Sequence, residues 1–286
     1  MMKNKLILGT VQFGLEYGIN SQGKPSRQEV FSILSDAKDS GIATLDTADQ
    51  YGNSQALIGE FIREFAKEFL INTKFKVGEI DIASQLDSSL QVLGIKALEV
   101  YFYHSFDDFM KHPSVRHDLM KLKELSRLKS IGVSVYTNSE IEIAIKAPEI
   151  DVIQIPFNVL DNIAQRGYWL GKAKENGKVV QARSAFLQGL FFKDPESFPA
   201  FLSPLRKYVK QLISLANESK LSMENICMSY VLSQPYIDQV IIGVDNRIQL
   251  KRNMGYATAL LDERIIREID AIKVEEIELL YPINWK

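Results

Sequence analysis

Residues 43–59 read ATLDTADQYGNSQALIG. The first four are an apolar run that ends on the carboxylate of Asp46. A strand covered on both faces reads this way, as a continuous buried run rather than an alternating one. A polar turn follows, and from Ser54 the period becomes helical, which predicts a helix over 54–68. The stretch is therefore one β-then-α unit with a chemically active residue at the strand end.

The same unit recurs in both directions along the chain. Strands are expected at 6–8, 43–46, 70–73, 100–103, 131–133, 152–155, 179–182 and 240–242. Helices are expected over 27–40, 54–68, 80–93, 114–128, 139–146, 165–176 and 249–258. Residues 202–234 read as two helices broken near Ser222, and 262–276 as a last one before the tail 279–286. Ser26 with Glu29 predicts a capping box at the first. Eight such units without a linker predict an α/β fold, a single TIM-type (β/α)8 barrel domain over 1–286 with extra C-terminal helices. An open doubly wound sheet is the alternative. The absence of a GxGxxG motif removes the usual fingerprint of that alternative.

Composition narrows the function classes. Hydrophobic residues are 46% and charged residues 24%, which excludes a disordered chain, a collagen and a coiled-coil rod. Thirty-four basic residues against 36 acidic ones give a net charge of −2, with no global field for nucleic acid. The single cysteine, Cys227, cannot form an internal disulfide and reads as a buried, inert thiol on a helix face. No apolar run approaches the length of a membrane span, and the N-terminal one stops at Gly9 and Thr10, too soon for a signal sequence. The expectation is a soluble, cytoplasmic protein without nucleic-acid or membrane partners.

In a β/α barrel the strand C-termini carry the chemistry. Asp46, with Tyr51 just beyond it, Lys74 and His104 stand at the ends of three consecutive strands. A tyrosine is a weak acid near neutral pH, an ammonium beside it favours the phenolate, and a carboxylate holds the ammonium in place. A histidine on the next strand can hold a substrate oxygen. Such a set can protonate a carbonyl oxygen. Each residue alone has a plainer reading: Asp46 as a turn cap, Tyr51 as a packed loop aromatic, Lys74 as a strand-end charge. His112 and His117 have no partners at metal-ligand spacing, so no metal site is expected.

On these residues the chain resembles the aldo/keto reductase family over nearly its whole length. The resemblance is carried by LDTADQYGNSQALIG (45–59), Lys74, HS at 104–105, GVSVY (132–136), IQIPFN (153–158) and VIIGVDNRIQLKRN (240–253). It implies that Tyr51 is a general acid whose pKa Lys74 depresses, that Asp46 pairs with Lys74, and that His104 orients the carbonyl. It implies NADPH as cofactor, with NADH as the alternative. Ser134 and Gln154 would meet the carboxamide. The backbone around Ser184, Leu187 and Gly189 would meet the pyrophosphate. Gly243, Arg247, Gln249 and Asn253 would hold the adenosine half. Many relatives have Asn where Val135 stands, a ring-stacking aromatic where Arg183 stands, and a basic or small residue where Asp245 stands. Arg183 can stack on a ring or bind an anion. Arg247, Lys251 and Arg252 are candidates for reading a 2′-phosphate.

Phe13, Tyr17, Phe157, Phe186 and Trp285 are candidate walls of a substrate pocket, and Gly9, Gly14 and Gly18 would let the first loop approach it. The leading expectation is an NADPH-dependent reductase of an aldehyde or ketone, such as a sugar or sugar derivative, acting as a monomer. A Schiff-base lyase or aldolase at Lys74 and a non-catalytic cofactor-binding regulatory protein are the alternatives.

Overall fold

The structure, a computed structural model, describes residues 5–19, 21, 23–257 and 261–285. Eight parallel strands close into a barrel in sequence order. They are β1 (Leu6–Gly9), β2 (Thr44–Asp46), β3 (Leu70–Phe75), β4 (Leu98–Tyr103), β5 (Leu128–Ser134), β6 (Val152–Pro156), β7 (Val179–Arg183) and β8 (Gln239–Gly243). Closure is made by β1 against β8, with Leu6 opposite Val240 and Gly9 opposite Gly243. The expected barrel is the observed one.

The helices are α1 (Val11–Gly14), α2 (Arg27–Asp39), α3 (Ser54–Phe65), α4 (Ile82–Leu93), α5 (Phe106–Lys111) and α6 (Pro113–Glu124). After these come α7 (Asn138–Lys146), α8 (Ile163–Glu175), α9 (Arg206–Ser219), α10 (Met223–Ser233), α11 (Arg247–Tyr256) and α12 (Glu263–Asp270). No helix among the described residues is long and apolar enough to cross a membrane.

Strand parity divides the molecule. Leu8, Leu45, Ile71, Tyr101, Ile131, Ile153, Val180 and Ile242 belong to the core shared with the helices. The opposite parity faces the lumen, where Val100, Phe102 and Val152 form a small apolar cluster of their own. Apart from residues such as Ile7 and Ile241, much of the rest of the lumen is polar. Gln154 Nε2 donates to Asp46 Oδ2 (3.0 Å) and Gln181 Oε1 (3.2 Å), and Gln181 Nε2 donates to Gln239 Oε1 (2.8 Å). Side-chain amides thus run from one wall of the barrel to the other.

Several boundaries and caps differ from the sequence expectation, the following four among them. The helix expected over 114–128 ends at Glu124, because Ser126 turns left-handed (φ 58°) and Leu128 opens β5. The short helix α5 precedes it, started by Ser105, whose hydroxyl accepts from Asp108 N–H (3.1 Å). The last helix stops at Asp270 rather than 276. Side-chain amides of α8 and its cap take the carbonyls beyond: Asn162 donates to Ile269 and Ile272, and Gln165 to Val274. The capping box at Ser26 is half made: Ser26 caps Glu29 N–H, but the Glu29 carboxylate accepts from Arg247 N–H (2.8 Å). Ser222 caps α10, and α11 ends at Tyr256 with Ala257 as its cap, while Thr258, the expected end, lies outside the described residues.

Candidate active site

One pocket of about 590 Å³ opens at the C-terminal ends of the strands. Asp46, Tyr51, Lys74 and His104 all line it. Asp46 and Lys74 are almost fully buried and form an ion pair, and Lys74 Nζ also donates to the Thr47 carbonyl (3.2 Å). The ammonium lies 5.3 Å from the centre of the Tyr51 ring. The Tyr51 and His104 rings meet edge to face, 5.9 Å apart at 83°. The sequence places these residues at three separate strand ends, and the parallel pairing of β2 with β3 and β3 with β4 brings them into one cluster.

Tyr51 sits on a turn, not a strand, so its position needs its own explanation. Three buried hydroxyls pin the turn. Ser54 Oγ donates to Thr10 Oγ1 (2.8 Å) and lies 3.2 Å from Thr47 Oγ1, and Thr10 Oγ1 donates to the Asp46 carbonyl. Gly14 then presses against the turn. A Cβ there would stand 1.7 Å from the Tyr51 carbonyl oxygen, so only glycine permits this approach. The first loop therefore approaches the backbone of the tyrosine turn, a reason for Gly14 more specific than a general need for turns.

The electrostatics correct one expectation. Burial pushes the Tyr51 phenol above its ordinary pKa, the Asp46 charge adds to this, and Arg183 opposes it. Burial, the largest influence, outweighs any lowering by the Lys74 ammonium, which is paired with Asp46. Burial also lowers the Lys74 pKa, against the pull of Asp46. His104 is pushed down to about 4, first by burial, then by the Lys74 and Arg183 charges. It is therefore neutral at pH 7. Its Nδ1 is buried and has no partner among the described residues.

That shift makes folding pH-dependent. A histidine whose folded pKa lies below its unfolded value of about 6.5 binds protons more readily when unfolded. Stability is therefore lost as pH falls from about 6.5 towards 4. Between pH 7 and 4.5 the wild type should lose on the order of 2 kcal/mol more than a His104→Gln variant. Urea titrations of both proteins at the two pH values measure it; parallel losses would assign His104 an ordinary pKa.

The expected cofactor contacts divide. Ser134, Gln154, Arg183, Ser184, Gly189, Gly243, Gln249 and Asn253 line the pocket. Ser134 Oγ and Gln154 Oε1 are buried there and have no partner among the described residues. Leu187, whose backbone was expected there, does not line the pocket, and its side chain is fully buried in the core. The wall at 184–189 is strained, with left-handed φ at Ser184 (62°), Leu187 (45°), Gln188 (53°) and Gly189 (88°). Arg247 is corrected as well. Its guanidinium is drawn away to Asp36 on α2 (2.7 and 2.8 Å), outside the pocket. Arg252 lines the pocket instead. Asp245 is latched to Gln249 by two hydrogen bonds, leaving Oδ1 buried without a partner among the described residues.

Of the five candidate wall aromatics, Tyr17 and Phe186 line the pocket. Phe13 and Phe157 are core residues, and Trp285 is tied to the Leu279 carbonyl in the tail. Sequence reasoning missed Gln12, Tyr136 and Gln188, and the tail residues Pro282 and Ile283, as pocket walls. Tyr136 lies inside the quoted GVSVY stretch, so the signal was present but unread.

The aldo/keto reductase family model matches residues 5–274. The chain belongs to the aldo/keto reductase family. Members are oxidoreductases that reduce small carbonyl compounds with nicotinamide cofactors. Similar proteins include aldo-keto reductase str7 of Strobilurus tenacellus, 24% identical over 89% of this chain and 83% of that one. Another is aldo-keto reductase yakc (NADP(+)) of Schizosaccharomyces pombe, 23% identical over 88% of this chain and 85% of that one. Among solved structures, aldo-keto reductase AKR11C1 from Bacillus halodurans, in its holo form, superposes with a TM-score of 0.76 at 19% identity. It covers 96% of this chain and 94% of its own. This likeness places the family chain in the same fold.

Proposed function

We propose that the chain, as one domain, is an NAD(P)H-dependent reductase of an aldehyde or ketone, with Tyr51 as the general acid. The observation that carries this reading is the Tyr51 phenol, edge-on to a neutral His104 and beside the buried Lys74–Asp46 pair, in one pocket. A reduced nicotinamide supplies hydride when bound. Ser134 Oγ and Gln154 Oε1, buried and unpartnered among the described residues, suit its carboxamide, and the strained wall at Ser184–Gly189 suits its phosphates.

The protein's own task is the proton. As negative charge develops on the substrate oxygen, Tyr51 gives it the phenolic proton. The phenol is held protonated in the resting site, so the donor is loaded. Lys74 acts after the transfer, when its ammonium faces the phenolate left behind. Neutral His104 accepts or donates a hydrogen bond without adding charge. A sugar or sugar derivative fits a pocket walled by Gln12, Tyr17, Tyr136 and Gln188.

The phosphorylated cofactor is supported by the name of the Schizosaccharomyces pombe relative and by Arg252, since Arg247 is engaged elsewhere. Nicotinamide fluorescence titrated with NADPH and with NADH tests the proposal. Saturation at micromolar concentration with NADPH the tighter ligand is expected. Tighter NADH would assign the 2′ position to Asp245, whose free oxygen can accept from a ribose hydroxyl. Binding of neither would overturn the reductase reading and return Lys74 to the lyase alternative.

A further inference from the structure

Of the cations that line the central pocket, Arg183 is the one beside the Tyr51 cluster that no carboxylate among the described residues pairs. Lys74 is paired with Asp46, and His104 is neutral at pH 7. Glu224, Asp245 and Arg252 belong to the part of the pocket contributed by α10, β8 and α11. Arg183, the last residue of β7, forms no ion pair among the described residues. Asp161, a buried carboxylate that the Arg183 charge reaches, is already held by Arg166 in two hydrogen bonds (2.7 and 2.8 Å).

Arg183 is nonetheless fixed. Its guanidinium lies 4.2 Å over the Tyr136 ring, and Nη2 donates to the Val135 carbonyl (3.2 Å). That uses one of five N–H donors. Tyr136 is held in turn: its ring meets Tyr281 at 5.6 Å, and its carbonyl accepts from Arg166 (2.6 Å). A planar fork, half-buried, stacked on one face and unpaired at its edge, matches a carboxylate in two parallel hydrogen bonds.

We propose that Arg183 is a specificity residue that binds a carboxylate on the substrate, so that carbonyl compounds bearing a carboxylate, acidic sugar derivatives among them, are preferred over neutral ones. The proposal rests on the reductase reading above. It deepens that reading by naming what the strand-7 arginine selects, and Tyr136 is the positioning residue that holds it.

The experiment compares phenylglyoxylate with its methyl ester, which carries the same carbonyl without the charge. Wild-type kcat/KM should favour the acid by roughly tenfold to a hundredfold, the range of a hydrogen bond to a charged group. Arg183→Gln should remove this preference, raising KM for the acid roughly tenfold or more beyond whatever change it makes on the ester. Arg183→Lys should restore part of it, and Tyr136→Leu, which keeps the charge but loses the stack, should show a smaller rise in KM for the acid alone. Benzoate should raise the Tm of the wild type and not of Arg183→Gln, a readout independent of turnover.

Equal activity on acid and ester in the wild type would overturn the proposal and leave the reductase reading standing. Loss of NADPH affinity in Arg183→Gln would overturn it by making Arg183 a cofactor contact. Absence of any carbonyl reduction, with nucleotide still bound, would overturn it together with the reductase reading.

Discussion

Replacing Tyr51 by phenylalanine should lower kcat by about 10²- to 10⁴-fold, the usual contribution of a positioned general acid. The substitution removes one oxygen and leaves the ring. The edge contact with His104 and the place beside Lys74 are properties of that ring and should persist. Among the described residues the Tyr51 hydroxyl makes no hydrogen bond, so its loss breaks nothing that holds the fold. Nucleotide affinity and Tm should therefore stay near wild type while turnover collapses. Steady-state kinetics alongside a fluorescence titration separates the two, and a variant retaining more than roughly a tenth of the rate would remove Tyr51 from the acid role. The direction of its pKa adds a second expectation. Because the phenol is raised above the ordinary value of about 10, it stays protonated through neutral and mildly alkaline pH. Reduction should then show no alkaline limb from this residue below that pH.

Replacing Arg166 by methionine should cost about 3–5 kcal/mol, the range for removing one partner of a buried pair. Its side chain is almost fully buried and makes five bonds. Two go to Asp161, and the others to Asn138, the Tyr136 carbonyl and the Tyr281 hydroxyl. Without it the Asp161 carboxyl is left in the interior, where burial already raises its pKa. A Tm lower by roughly 10 °C is expected for a chain of this size. The double change Asp161→Leu with Arg166→Met should recover much of the loss, because no charge is then stranded. A single variant as stable as the wild type would mean that water reaches Asp161.

How much of this was legible follows from where the information lies. The barrel could be read because every strand is a local apolar run and every cap is a local signal. Ser222 and the turn at 51–54 are examples. The acid–base set could be read because it occupies strand ends, whose position in a barrel is fixed. Arg247 was misplaced because its partner, Asp36, sits on a helix at the other end of the sequence. No local pattern reveals that a charge on α11 is already spoken for. Arg252, on the same helix, was named but not preferred, and only the fold separates the two. The direction of the Tyr51 pKa was misjudged for a related reason. Proximity to Lys74 is predictable, but the burial that outweighs it belongs to the folded site. The polar lumen stayed hidden because Gln154, Gln181 and Gln239 look like isolated polar residues until parity aligns them.

The pairing of β1 with β8 has a consequence for biogenesis. The four residues of the candidate acid–base set all lie before residue 105, so a growing chain carries them early. The ring around them closes only when the strand at 239–243 has left the ribosome and found residues 6–9. Until then the two outer strands are raw edges, open to pairing with a neighbouring nascent chain. The stretch of synthesis that leads up to β8 is thus the interval of greatest exposure to aggregation. A truncated chain ending before β8 would inherit that hazard permanently, with its reactive groups in place and no walls around them.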